Sequence, residues 1–283
     1  MSTALETFVR TKDYLVCVDS DGCAMDTMNI KHIRCFGPCF VEEWGLQACA
    51  SYALKRWNEI NLYTMTRGIN RFKGLVLALE DVARQGAAVA GLDDLRRWVQ
   101  TSPELSERAL EQALQEKPSV CLQKALAWSR EVNRRIGQMD DADKRPFAGV
   151  AQGLKAAAEF ADIAVVSSAN YEAVRQEWEL YGLARHVNVL LAQDAGTKEH
   201  CIAELMKHGY RKDHTLMVGD APGDLDAARG NGVYFYPILV RHEDESWKEF
   251  GEKGLRCFFD GAYAAYEAQK LGQFKNNLTQ GEA

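Results

Sequence analysis

Short apolar runs alternate with helix-like patterns along the second half of the sequence. The apolar runs are rich in β-branched residues and span residues 163–166, 187–192, 215–218 and 233–238. Apolar residues recur at helical spacing over residues 150–160, 171–181, 198–208 and 224–229. Strands that alternate with helices predict a parallel sheet covered on both faces, which is an α/β fold.

A fifth apolar run, YLVCV at residues 14–18, lies near the N-terminus. It contains no charged position, which is typical of a central strand in a parallel sheet whose two faces are both buried. We therefore place this run in the same sheet as the four later ones.

The stretch 28–147 has a different pattern. It shows no convincing alternation of period two, and its apolar residues keep helical spacing instead. Ser102 and Pro103 resemble an N-cap followed by proline at the first helical position, which predicts a helix start there. The polar segment MDDADKR at 139–145 is typical of a linker. The sequence thus predicts a core formed by residues 1–27 and 148–283, interrupted by an all-helical domain at 28–147.

The composition is that of an ordinary soluble protein. Of the 283 residues, 47% are hydrophobic and 26% are charged, and the net charge is −6. An acidic chain without a long basic run argues against nucleic acid as the main partner. No apolar stretch approaches the ~20 residues that a membrane helix needs, and the charged N-terminus lacks an apolar signal core. We therefore expect no membrane association and a cytoplasmic location, which the eight scattered cysteines also favour.

Polar side chains follow the predicted strands at the points where they end. In an open parallel sheet, ligands bind outside the carboxyl ends of the strands, so we expect these side chains to converge on one edge. They comprise four carboxylates, two hydroxyls and one lysine: Asp19, Asp21, Ser167, Ser168, Lys198, Asp220 and Asp224.

These groups suit one kind of chemistry. Clustered carboxylates repel one another unless a hard cation lies among them, and Mg²⁺ favours carboxylates together with substrate phosphate. A carboxylate can attack phosphorus and form an aspartyl phosphate, while a lysine and Mg²⁺ neutralise the charge of the transferring oxygens. A second carboxyl can protonate the leaving oxygen and then deprotonate water. The set therefore favours Mg²⁺-dependent phosphoryl transfer.

Four segments at these strand ends resemble, in order, the four motifs of the haloacid dehalogenase (HAD) superfamily: DSDGCAMDT, VVSSAN, GTKEH and VGDAPGDLDAA. The resemblance covers roughly residues 1–27 and 148–240 and implies a Rossmann-like core. It departs from the family at Cys23-Ala24, where relatives usually carry Thr-Leu. The insert resembles the helical cap of the phosphoglycolate phosphatase and β-phosphoglucomutase branch, which closes over the substrate, although this insert is larger than usual.

The resemblance also implies a role for each candidate residue. Asp19 becomes the nucleophile and Asp21 the general acid/base, while Lys198 neutralises charge. Ser167 becomes the phosphate-binding hydroxyl, and Ser168 competes with it for that role. The implied ligands of Mg²⁺ are Asp19, Asp21, Asp220 and Asp224.

The retained Asp21 distinguishes the chain from true dehalogenases and implies phosphoryl transfer. We expect a phosphatase that hydrolyses a small phosphorylated metabolite through an aspartyl phosphate on Asp19. A phosphomutase of the β-phosphoglucomutase type and a non-catalytic regulator that binds phosphometabolites are the alternatives. In TRGINRFKGL at 66–75, Arg71 resembles the arginine that grips the far end of the substrate in relatives such as β-phosphoglucomutase. A solvated arginine at a helix start is the other interpretation of Arg71.

Overall fold

The computed structural model describes residues 3–279. These residues form two compact units. The first unit contains the chain up to Met28 and again from Asp141, and the second contains Asn29–Asp140. Within the first unit, the outgoing and returning segments run side by side, since Met25 forms an antiparallel bridge with Pro146. The N–H of Asp26 donates to the carbonyl of Arg145 at 2.7 Å beside that bridge.

A five-stranded parallel sheet forms the centre of the first unit, with the strand order β3-β2-β1-β4-β5. The strands are β1 (Tyr14–Val18), β2 (Ala161–Val166), β3 (Val189–Leu191), β4 (Thr215–Gly219) and β5 (Tyr234–Pro237). Strand β1 is central, and its last residue, Val18, pairs with Val165 on one side and Val218 on the other. The predicted fold class, a parallel α/β core with a helical insert after its first strand, is confirmed.

The helices number fifteen within residues 3–279. Those up to the end of the second unit are α1 (Thr3–Thr7), α2 (Met28–Lys31), α3 (Gly37–Glu43), α4 (Ala50–Asn58), α5 (Arg71–Arg84), α6 (Leu92–Thr101), α7 (Glu107–Glu116) and α8 (Val120–Ile136). Those after it are α9 (Val150–Ala158), α10 (Tyr171–Leu180), α11 (Lys198–Met206), α12 (Pro222–Asn231), α13 (Glu243–Glu249), α14 (Leu255–Phe259) and α15 (Tyr263–Thr279). Short π-helical turns span His32–Phe36, Glu59–Tyr63 and Phe250–Gly254.

Burial on both faces explains the apolar sequence of β1. Val16 and Val18 join a buried cluster that includes Trp178 and Trp247, and the alternate residues Leu15 and Cys17 are equally buried. Because successive side chains of a strand point to opposite faces, both faces of the central strand are covered. A polar side chain is therefore tolerated only beyond the last paired residue, where Asp19 stands.

Aromatic side chains form the core of the second unit. Trp57 and Trp128 are fully buried, and their rings meet edge to face with centroids 5.6 Å apart. Phe72 is buried beside them and contacts Trp128. These aromatic side chains are therefore packing residues. The described residues of this unit form helices and no strand.

The predicted helix start at Ser102 and Pro103 is wrong. Helix α6 ends at Thr101, and the next helix begins at Glu107, where the side chain of Ser106 accepts a hydrogen bond from the N–H of Ala109 at 3.2 Å. Ser102 is extended, but its hydroxyl donates to the carbonyl of Glu104 at 2.6 Å instead of accepting from a helix N–H. The cap therefore forms at Ser106, the later serine.

No helix among the residues that the structure describes combines the length and the apolar character needed to cross a membrane.

Candidate active site

Asp19 lies at the carboxyl end of the central strand. Its N–H donates to the carbonyl of Val218 at 3.0 Å, so the backbone of Asp19 continues the ladder between β1 and β4 by one residue. The chain then turns sharply at Gly22, whose φ of 83° is a conformation that glycine adopts without strain. This turn leaves the buried Asp19 at the edge where β2 and β4 also end.

Asp220 and Asp224 come from the connection between β4 and α12. Asp220 follows the strand directly, and Asp224 lies in the first turn of the helix, where its Oδ2 accepts from the N–H groups of Asp220 at 3.1 Å and Ala221 at 3.0 Å. A carboxylate at that place satisfies otherwise unpaired amides and interacts favourably with the helix dipole. A Cβ at Gly219 would lie 2.4 Å from Asp224 Oδ2, so the strand must end in glycine for this carboxylate to fit.

Lys198 is the first residue of α11 and reaches two of these acids. Its ammonium lies 2.8 Å from Asp19 Oδ1 and 2.5 Å from Asp224 Oδ1. Its helix is capped by Thr197, whose side chain accepts from the N–H of His200 at 3.2 Å. A cation at a helix start is unfavourable by itself, so the two buried carboxylates account for its position.

Three buried carboxylates, of Asp19, Asp220 and Asp224, offer ligand atoms that all lie within 4.8 Å of one another. Lys198 supplies one positive charge against their three negative charges, which leaves a net negative site when all are ionised. Oxygen donors gathered with an excess of negative charge fit a hard divalent cation. The residues present therefore fit a metal of that class.

Burial and neighbouring charge set the ionisation of the pair formed by Asp19 and Lys198. Burial raises the pKa of Asp19 above its usual range, the more so because Asp224 and Asp220 are close, while Lys198 opposes that shift. For Lys198, burial alone would lower the pKa, but the Asp19 and Asp224 carboxylates hold it above its usual range. Lys198 therefore stays positively charged, and its charge favours the ionised form of Asp19.

The carboxylate of Asp21 does not join the three clustered acids. It is partly exposed, and its Oδ1 accepts a hydrogen bond from the hydroxyl of the buried Thr27 at 2.5 Å. The sequence predicted Asp21 both as acid/base and as metal ligand, and both roles stay predictions; its carboxylate is not among the three acids whose ligand atoms lie within 4.8 Å of one another.

The two serines after β2 differ in their surroundings. Ser167 is buried, its N–H donates to the carbonyl of Leu191 at 2.9 Å, and its hydroxyl oxygen accepts from the N–H of Ala169 at 3.1 Å. Ser168 is exposed. Because the Ser167 oxygen is held by the backbone at the strand end, its hydroxyl hydrogen is available to an anion there, which favours Ser167 over Ser168.

Arg71 lies in the second unit and is bound within it. Its Nη1 donates to the hydroxyl of Ser129 at 3.0 Å and to Asn133 Oδ1 at 2.8 Å, and its guanidinium lies 5.0 Å from the centroid of the Phe36 ring. Burial lowers its pKa, although Glu107 opposes that shift. Arg71 therefore joins α5 to α8, an arrangement that its position in the sequence did not reveal.

Sequence reasoning missed the residues that hold the loop after β1. Thr27 binds Asp21, the indole N–H of Trp178 donates to Ser20 Oγ at 2.9 Å, and that of Trp247 donates to the carbonyl of Cys23 at 2.8 Å. The only available signal was the polar Ser20 between two aspartates in a segment otherwise expected to be buried.

Solved structures with a similar fold come from several bacteria. A protein from Bacteroides fragilis, provisionally described as a haloacid dehalogenase-like hydrolase, is 12% identical, with 83% of this chain and 93% of that chain covered at a TM-score of 0.51. A protein from Lactobacillus delbrueckii subsp. bulgaricus, provisionally described as a phosphoglycolate phosphatase, is 15% identical, with 80% and 85% covered at a TM-score of 0.49. A haloacid dehalogenase-like family hydrolase from Streptococcus pneumoniae is 12% identical, with 87% and 97% covered at a TM-score of 0.46. At such identities the likeness concerns the fold alone.

The family model for haloacid dehalogenase-like hydrolases matches residues 69–238, while a search of curated proteins found no match. The matched stretch contains Ser167, Lys198 and Asp220, and Asp19 precedes it. Because this stretch is more than half of the 283 residues, the chain belongs to the haloacid dehalogenase-like hydrolases.

Proposed function

We propose that the protein is a Mg²⁺-dependent phosphatase that hydrolyses a small phosphorylated metabolite through an aspartyl phosphate on Asp19. One observation carries the proposal: Asp19 contacts Lys198 and shares a buried cluster with Asp220 and Asp224 at the carboxyl end of the central strand. A nucleophilic carboxylate, a fixed cation and a metal-binding acid group are the parts that phosphoryl transfer to a protein side chain requires.

Asp19 acts as the nucleophile in the first step. One of its carboxylate oxygens attacks phosphorus, the bond from phosphorus to the leaving oxygen breaks, and the phosphoryl group remains on Asp19. The Lys198 ammonium, 2.8 Å from Asp19 Oδ1, balances negative charge on the transferring oxygens. The hydroxyl of Ser167 donates to one of those oxygens.

Asp21 acts as the acid and then as the base. It protonates the leaving oxygen in the first step. In the second step it removes a proton from the water whose oxygen attacks phosphorus; the bond from phosphorus to Asp19 breaks, inorganic phosphate leaves, and Asp19 returns as a free carboxylate. Thr27 donates a hydrogen bond to one oxygen of Asp21 and so orients the carboxylate for proton exchange with substrate or water.

Asp19, Asp220 and Asp224 would hold Mg²⁺. When bound, the ion supplies positive charge to the phosphoryl oxygens and to the carboxylate cluster. The amides of Asp220 and Ala221 fix Asp224 Oδ2, and Lys198 fixes its Oδ1, so the cluster is held in place by the chain itself.

We assign the second unit, with Arg71, to the selection of substrate. Arginine binds phosphate or carboxylate through several donors, which suits a metabolite with a second anionic group. Its bonds to Ser129 and Asn133 hold the guanidinium in one orientation, which reduces the entropy lost on binding.

A turnover assay tests the proposed function. The purified protein is incubated with p-nitrophenyl phosphate and with a panel of phosphorylated metabolites, with and without Mg²⁺, and released phosphate is measured. We expect Mg²⁺-dependent release, and acid quenching during turnover should leave one phosphoryl group on the peptide that contains Asp19. Release of phosphate by an enzyme whose Asp19 is never phosphorylated would contradict the nucleophile assignment, and absence of release from every compound would contradict the phosphatase.

A further inference from the structure

Ser20 separates the two aspartates of the proposed site and is fully buried. Its hydroxyl oxygen accepts a hydrogen bond from the indole N–H of Trp178 at 2.9 Å. A buried serine is compatible with a packed core only when its polar atoms have partners, and this bond supplies one.

The backbone of Ser20 is the anchor of the loop that follows β1. Its carbonyl accepts from the N–H groups of Cys23 at 3.3 Å, Ala24 at 3.0 Å and Met25 at 2.8 Å. Asp19 and Asp21 are the two chain neighbours of Ser20. Any rotation of the backbone at Ser20 therefore moves this loop and changes the placement of Asp21 relative to Asp19.

Trp178 belongs to another part of the same unit. It is fully buried on α10, the helix that begins directly after the loop carrying Ser167 and Ser168. The indole thus connects the loop of the two aspartates with the helix that follows the phosphate-binding candidate. A second tryptophan, Trp247 on α13, holds the far side of the aspartate loop through the carbonyl of Cys23.

The bond from Trp178 restrains one side chain of the loop, that of Ser20. Trp247 and the Ser20 carbonyl restrain the far side of the loop, and the bond from Trp178 restrains the Ser20 side chain, between Asp19 and Asp21. Displacement of a catalytic group by about 1 Å costs up to 10²-fold in rate, so small movements at this position matter.

We propose that Trp178 is a positioning residue for Asp19 and Asp21: its bond to Ser20 sets the relation of the two carboxylates, a role that rests on the proposed phosphatase function.

Two substitutions, alone and together, test this proposal. Trp178→Phe removes the donor and keeps an aromatic ring, while Ser20→Ala removes the acceptor. Each single variant leaves one buried polar group unmatched and should lower the denaturation midpoint. The double variant removes both groups and should lower it by less than the sum of the two single changes, although the cavity left by the smaller ring remains. The kcat of the double variant for p-nitrophenyl phosphate should nevertheless stay about 10- to 100-fold below wild type, with KM changed less than about threefold.

Tyr263→Phe is the matched control in the same unit. Tyr263 is fully buried and its hydroxyl donates to the carbonyl of Phe235 at 3.1 Å, away from the aspartate loop in sequence. This variant should lose stability and keep its kcat. If the kcat of the double variant is within about threefold of wild type, the contact is only structural and the proposal is overturned.

Crystal structures of the wild type and the double variant give a readout that does not need turnover. We expect the Asp21 carboxylate of the double variant to move by about 1 Å or more relative to Asp19. Superimposable carboxylates would overturn the positioning role even if the phosphatase is confirmed. If the wild type hydrolyses no phosphate ester, the proposed function fails, and the two structures still decide whether Trp178 sets the geometry of the pair.

Discussion

The ammonium of Lys198 lies 2.8 Å from Oδ1 of Asp19, and both side chains are mostly buried, at 15% and 7% exposure. An ion pair removed from water is stable only when geometry and further partners compensate for lost hydration. Here the second partner of Lys198 is Asp224, which backbone amides hold in turn. The lysine is therefore part of a fixed array of charge rather than a mobile surface group.

Removal of that cation should reduce turnover of every substrate. We expect Lys198→Ala to lower kcat about 10²- to 10³-fold for p-nitrophenyl phosphate and for any metabolite substrate alike, because the lost charge acts on the phosphoryl group that all share. Steady-state kinetics measures the effect. Lys207→Ala, which removes an exposed lysine just after the same helix, should leave kcat unchanged. A loss confined to one substrate would show that Lys198 acts in recognition instead.

Asp19→Asn should abolish turnover while the fold survives. The amide has nearly the shape of the carboxylate but is a poor nucleophile, and the uncharged group relieves repulsion from Asp220 and Asp224. Phosphate release and circular dichroism are measured together. Asp226→Asn, a change at an exposed acid of α12, is the control. Activity within tenfold of wild type would remove Asp19 from the nucleophile role.

Chelation should stop turnover, and added Mg²⁺ should restore it. Ca²⁺ should inhibit, because Mg²⁺ requires compact octahedral geometry whereas Ca²⁺ takes more ligands at longer distances. Mg²⁺ should also raise the melting temperature of the wild type, since a ligand that binds only the native state stabilises it, and it should not do so for Asp220→Asn. Undiminished turnover in excess EDTA would contradict the metal site.

Arg71→Ala should separate recognition from chemistry. For a metabolite with a second anionic group, kcat/KM should fall by about 10- to 150-fold, or ~1.5–3 kcal/mol, because a charge-assisted contact is lost. Hydrolysis of p-nitrophenyl phosphate, which lacks that group, should barely change. Arg84→Ala, at an exposed arginine of the same helix, is the control and should leave the kinetics with both substrates unchanged. Equal losses on both substrates would make Arg71 a structural residue.

Asp162 should make the free energy of unfolding depend on pH in the acid range. This fully buried carboxylate accepts from the N–H of Thr11 at 2.8 Å, the N–H of Lys12 at 2.9 Å and the hydroxyl of Tyr210 at 2.5 Å. Burial raises the pKa of Asp162, but the hydrogen bonds outweigh it and hold the pKa below its ordinary value of 3.8. Its contribution is therefore complete above about pH 4 and is lost as pH falls toward the lower native value.

Urea unfolding at several pH values tests this dependence. Asp162→Asn should be about 2 kcal/mol less stable than wild type at pH 7, because hydrogen bonds to a charged acceptor are lost. Below pH 4 the difference should shrink, since the wild type loses the same contribution on protonation. Asp226→Asn should parallel the wild type throughout. A difference that stays constant down to pH 2 would show that the charge of Asp162 does not stabilise the fold.

The sequence by itself determined that the core is a parallel sheet and that polar candidate residues lie at the carboxyl ends of its strands. A strand buried on both faces favours apolar residues, so the run at residues 14–18 indicated the central strand and ended it before Asp19. Parallel strands place their carboxyl ends on one edge, so polar residues far apart in sequence were expected to converge. Asp19, Lys198 and Asp224 do meet there, at distances that the pattern alone could not supply.

Only the tertiary structure decided which side chains contact one another. Asp21 stands two positions from Asp19, yet it accepts a hydrogen bond from Thr27 and is not one of the three acids whose ligand atoms cluster. Ser20 and Trp178 are 158 positions apart, and no local pattern links them. Such contacts depend on how helices pack against the sheet, and packing is a property of the whole core, whereas burial and periodicity can be read from each segment separately.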